Sequence, residues 1–124
     1  MTAPGNRSSA GFPSPADDYL DIALDLNELL IKNKTATFFM RVEGDDLAAS
    51  GIRHGDLLIV DRSVNAAAGK TVVAVASGEL VLRRMEKEDG KLVLVSDNAT
   101  VAPVAFDGED VQIWGVATSV VHQL

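Results

Sequence analysis

From residue 35 onward the chain is written in short apolar, β-branched runs separated by turn residues, and this punctuation constrains the fold more than any other feature. Residues 35–42 (TATFFMRV), 56–61 (DLLIVD), 71–76 (TVVAVA), 79–85 (ELVLRRM), 91–95 (KLVLV) and 111–121 (VQIWGVATSVV) each read as a strand. Ser77-Gly78 and Asp89-Gly90 sit between neighbouring runs and predict two hairpins, and Gly55 marks a further tight turn. Ala66, Ala67 and Ala68 before Gly69 predict a loop. The expected fold is mainly β, a small curled sheet or a partly closed barrel.

Ahead of these runs the character differs. Residues 1–16 are rich in Ser, Ala, Gly and Pro, with Pro4, Pro13 and Pro15, and predict an extended N-terminal arm with little to bury except Phe12. Residues 17–32 space Tyr19, Leu20, Ile22, Leu26, Leu29 and Leu30 at mixed intervals of three and four, which predicts one or two short helical turns. Asp25 is the N-cap candidate for a turn over 26–31. A chain of 124 residues accommodates one core, so the expectation is an arm over 1–16 and a single β domain over 17–124.

A formal charge of -7 opposes a phosphate backbone, so a protein rather than a nucleic acid is the expected partner. The chain has no cysteine, which removes disulfides and thiolate chemistry and suits a reducing compartment. No stretch approaches the roughly 20 apolar residues of a membrane span, and the start MTAPGNRSSA lacks a signal-peptide core. A cytoplasmic protein that binds neither membrane nor cofactor is expected.

Several polar residues invite a chemical role and have a plainer one. Asp45 and Asp46 are adjacent, so in extended chain their carboxylates point apart and do not form an acid pair. Ser50 and Ser63 suit turns. His54 and His122 are too few for a metal set and are expected at the surface. Asp56 and Asp61 flank an apolar run and read as turn and edge residues, and Trp114 reads as core or dimer interface.

The strings GFPSPADDYLD, DLNELLI, ATFF, GIRHGDLLIVDRS and WGVATSVV occur in an order that resembles UmuD, over most of the chain from Ala10. By these motifs the chain is identified as a UmuD-like member of the LexA/UmuD self-cleaving serine peptidase family. The resemblance implies a peptidase-like β domain of the LexA/UmuD C-terminal type with an extended arm, and a homodimer. It further implies service as the accessory subunit of an error-prone Y-family DNA polymerase (a UmuC-like subunit) in the SOS response, with the RecA filament as a further partner. No helix-turn-helix precedes the domain here, so a repressor role is not expected.

In that family a Gly-Asp-Ser-Met motif carries the nucleophile, and a lysine on a later strand is the base. The matching string here is Gly44-Asp45-Asp46-Leu47, and the lysine falls on Arg83 within ELVLRRM, so Asp46 and Arg83 occupy the two catalytic positions. The scissile bond of the family corresponds to Ala10-Gly11, and the short arm ahead of it would make the chain resemble the processed form. A carboxylate is a poor nucleophile toward a peptide carbonyl, and a guanidinium does not give up its proton in proteins. The expectation is a pseudo-peptidase in which Asp46 and Arg83 form a charge-assisted pair, with bidentate geometry open to it. The alternatives are a working self-cleaving endopeptidase that uses other residues and an engineered, inactivated variant.

Overall fold

A computed structural model describes residues 25–106 and 110–124. The chain divides into two units, Met1–Lys32 and Asn33–Leu124. Of the first, residues 25–32 are described. They hold the single-turn helix α1 (Leu26–Leu30), for which Asp25 is the N-cap: its backbone is extended and its carboxylate accepts from the Asn27 N–H at 2.9 Å. This satisfies one of the amides that a helix start leaves without a partner. The predicted arm and the Ala10-Gly11 bond lie outside the described residues.

The second unit is a seven-stranded antiparallel sheet: β1 (Thr37–Arg41), β2 (Leu57–Asp61), β3 (Thr71–Ala76), β4 (Glu79–Glu88), β5 (Lys91–Val95), β6 (Val104–Ala105) and β7 (Val111–Val121). The order across the sheet is β1-β2-β7-β3-β4-β5-β6. Its end strands β1 and β6 do not pair with each other, so the sheet is not closed into a barrel. The hairpins β3–β4 and β4–β5 turn through Ser77-Gly78 and Asp89-Gly90, all four residues at positive φ, as a two-residue turn matched to strand twist requires.

The strands depart from the sequence expectation in several places. The first strand begins late because Lys34–Ala36 forms a 3-10 turn, braced by the Thr37 hydroxyl donating to the Asn33 carbonyl at 2.6 Å. The fourth runs on to Glu88 because it pairs with β5 from Arg84 onward, Arg84 being at once the last partner of β3 and the first of β5. Strand β6 was not expected, since two residues are too short to show a period. It is recruited by pairing with Val93 and Leu94.

Side-chain alternation along the strands sends alternate residues into two cores. One holds Leu47, Leu58, Val60 and Val73, the other Val72, Ala74, Met85, Leu94 and Val116. Two register shifts, at Ile59/Val60 and Val73/Ala74, leave Thr118 and Trp114 of β7 as extra residues opposite β2 and β3. Trp114 is 42% exposed and belongs to neither core, which corrects the core half of its expected role. Between the two bulges lies Gly115. A Cβ there would sit 2.6 Å from Cγ1 of Val60, itself fully buried. Gly115→Ala should therefore destabilise the chain by about 1–3 kcal/mol through overpacking. A melting temperature equal to the parent's would show that β2 and β7 can part at no cost.

No helix among the described residues is long and apolar enough to cross a membrane.

Candidate functional site

Asp46 stands in the connection between β1 and β2, just ahead of the 3-10 turn Ala48–Ser50, and Arg83 stands on β4. The connection is shaped by its glycines and anchored by buried apolar side chains. Gly44 and Gly51 adopt positive φ, and Leu47 is buried in the first core, which leaves Asp46 beside β4. Arg83 Nη1 donates to Asp46 Oδ2 at 2.7 Å and to the Leu82 carbonyl at 2.8 Å. The two positions named from the sequence therefore meet, across 37 residues of chain. The contact is single rather than bidentate, and Arg83 Nε is buried without a partner. The Arg83 side chain is 10% exposed and that of Asp46 is 34%. Asp45 is exposed and takes no part in the pair.

Asp46 also lines a cavity of about 270 Å3, whose walls include Met40, Val42, Leu58, Val73 and Leu82. The lining is largely apolar, and two stretches of strand edge border it. Strand β1 closes the sheet on one side, and residues 79–83 of β4 pair with β3 but not with β5, whose register begins at Arg84. Unpaired strand edges beside an apolar cleft suit an extended peptide, which takes main-chain hydrogen bonds from the edge and seats alternate side chains in the cleft.

A second polar cluster, not foreseen from sequence, lies beside the pair. Arg84 Nη1 donates to Asp97 Oδ1 and to Ser50 Oγ, both at 2.9 Å, and Ser50 Oγ donates to Asp97 Oδ2 at 2.7 Å. Arg84 Nε bonds Glu86. The Asp97 N–H and the Ser96 hydroxyl donate to the Asp46 carbonyl at 2.6 and 2.9 Å. Ser50 thus ends a turn as expected but is also tied across the fold. The sequence offered only the doubled Arg83-Arg84 and the polar turn Ser96-Asp97-Asn98 as signals.

The remaining candidates are structural. Asp61 is buried and closes the next turn by accepting from the Ser63 N–H and hydroxyl. Asp56 closes a turn at the start of β2, and it is buried at 2% exposure. It accepts from the Arg53 N–H at 2.8 Å and bonds His122 Nδ1 at 2.6 Å, joining the start of β2 to the end of β7. His54 is exposed, as expected, and its Nδ1 accepts from the Gly44 N–H at 2.9 Å, which helps shape the Asp46 connection.

The Arg53 N–H, and after it His122, hold the Asp56 carboxyl below the usual carboxylate range, and Arg84 followed by Ser50 does the same for Asp97. A carboxyl depressed in the folded state contributes stability that is full above its unfolded value near 3.8 and is lost as pH falls through the folded one. Melting temperature should therefore fall steeply below about pH 4, and Asp97→Asn should flatten part of that fall. An Asp97→Asn variant with the parent's acid slope would remove Asp97 from the account.

The family model described as Peptidase S24-like matches residues 4–118. Protein SamA of Salmonella typhimurium is 38% identical over 117 residues, covering 94% of this chain and 81% of its own. Protein ImpA of Escherichia coli is 39% identical over 122 residues, covering 95% and 81%. Protein MucA of Escherichia coli is 38% identical over 113 residues, covering 90% and 77%. Matched by the family model over most of its length and by such relatives at this identity, the chain belongs to the S24-like peptidases, as a UmuD-like member of the LexA/UmuD family.

Proposed function

We propose that the chain is a UmuD-like accessory subunit for an error-prone Y-family translesion DNA polymerase in the SOS response. In this reading it acts in the cytoplasm as a homodimeric protein-binding module, engages a UmuC-like polymerase subunit and the RecA filament, and has a silent peptidase dyad. The arm over 1–16 carries a vestigial cleavage site at Ala10-Gly11, and residues 17–124 form the binding domain. The kinship with SamA, ImpA and MucA supports the family role.

One observation carries the silence: Asp46 and Arg83, the positions that the resemblance assigns to a hydroxyl and an amine, face each other at 2.7 Å. Proton transfer from a serine to a neutral lysine starts the serine-lysine mechanism, and neither group is present. A guanidinium keeps its proton and so offers no base. The nearby Ser50 hydroxyl is a weak substitute, because it donates to Asp97, whose carboxylate Arg84 and Ser50 hold in the charged form and so make a poor base.

The test is intact mass, with and without nucleotide-bound RecA filaments, run beside the Asp46→Ser, Arg83→Lys double variant. The expected result is an unchanged mass for this chain and loss of the segment through Ala10 in the double variant alone. Cleavage of the unaltered chain at Ala10-Gly11 would overturn the silent-dyad reading and establish a different nucleophile. Capture of a UmuC-like polymerase by the full chain tests the partnership separately.

A further inference from the structure

The Asp46 connection is held at two places by different chemistry. Its side chain is tied to β4 through Arg83. Its backbone and its far end are tied elsewhere: the Asp46 carbonyl to Ser96 and Asp97, and Ser50 to Asp97 and Arg84. Arg83 and Arg84 are neighbours on one strand, so their side chains leave it on opposite sides, yet both reach the same short connection. The connection therefore straddles β4 at the residue where its pairing passes from β3 to β5.

We propose that Arg84, Asp97 and Ser50 form a clamp that positions the residue 46–50 segment, and so one wall of the cleft, independently of the Asp46–Arg83 pair. Three segments distant in sequence converge there: the β1–β2 connection, strand β4 and the loop after β5. Each polar atom has an assigned task. Asp97 Oδ1 takes Arg84, Asp97 Oδ2 takes Ser50, and the Asp97 N–H takes the Asp46 carbonyl, so one residue grips both ends of the segment. Asp97 is 12% exposed at its side chain and Arg84 30%, which shelters the charge-assisted bonds from solvent and salt more than surface pairs are. Arg84 is in turn oriented by Glu86 from the same strand. The arrangement lets the residues at positions 46 and 83 change identity without moving the 46–50 segment. Arg84, Asp97 and Ser50 are positioning residues in this account, and the inference does not depend on what the cleft binds.

Amide hydrogen exchange of the full chain tests it. Inside the segment, the amides of Ala48, Ser50, Gly51 and Ile52 bond to Asp45, Leu47 and Ala48 carbonyls, and the Asp97 amide reports the tie to Asp46. In the Asp46→Ser, Arg83→Lys variant these five amides should keep the parent's protection within about threefold. In Arg84→Met and in Ser50→Ala they should exchange about tenfold faster or more, the local opening expected when a charge-assisted hydrogen bond is lost, with Val72 and Val116 unchanged. Ser50→Thr, which keeps the hydroxyl, should restore most of the protection. Val72 and Val116 accelerating equally would mean that Arg84→Met loosens the whole fold, and Ser50→Ala then decides. Unchanged protection in Ser50→Ala, or acceleration in the dyad variant as large as in Arg84→Met, would overturn the clamp.

Discussion

Asp46→Ala alone should lower stability by about 2–3 kcal/mol, whereas Asp46→Ala together with Arg83→Met should lie within about 1 kcal/mol of the parent. The asymmetry follows from burial. Removing Asp46 leaves the Arg83 guanidinium, 10% exposed and with Nε already lacking a partner, facing apolar surroundings with only the Leu82 carbonyl to meet it. A stranded buried charge costs roughly 3–5 kcal/mol, and the expected loss is smaller because 34% of the Asp46 side chain lies in solvent and water can reach the gap. Replacing both partners removes the attraction and both desolvation terms together. A double-mutant cycle in urea reads the coupling. Additive single losses would mean that the 2.7 Å contact carries no energy and that Asp46 and Arg83 are neighbours by coincidence.

The largest loss is expected at Leu47, the residue that follows Asp46. Leu47→Ala should cost about 2–5 kcal/mol, the range for truncating a buried leucine whose surroundings relax only in part. Leu47 is 1% exposed and packs in one core with Leu58, Val60 and Val73, and its carbonyl accepts from the Ser50 and Ile52 amides. It is therefore the apolar anchor of the segment that carries Asp46. Leu94→Ala, in the other core, should destabilise by a comparable amount without loosening that segment. Chemical denaturation gives the magnitudes, and exchange at Ser50 and Ile52 separates the two variants. Equal local exchange in both would show that the connection is held by its polar ties alone.

The strand runs, both Gly-containing hairpins and the Asp25 cap are legible in the amino-acid sequence because each rests on a local rule: side-chain alternation, a backbone that needs positive φ, and a carboxylate next to a free amide. The positions Asp46 and Arg83 are named by motif resemblance, and the structure brings the two side chains to 2.7 Å. Other features leave no local trace. Strand β6 exists only because Val93 and Leu94 offer it an edge, and Trp114 is exposed because a register shift makes it the extra residue of β7. Buried Asp56 bonds His122, 66 residues away.

Fold class, the succession of strands along the chain, and the acidic and basic residue types at positions 46 and 83 are written in the sequence, because they are properties of composition, period and motif. That the sheet stays open, that the Asp46–Arg83 contact is single, and that Arg84, Asp97 and Ser50 grip the same connection emerge only in three dimensions. Those outcomes depend on register and on which side chains meet across long loops. Both are settled by packing between segments that no local pattern relates.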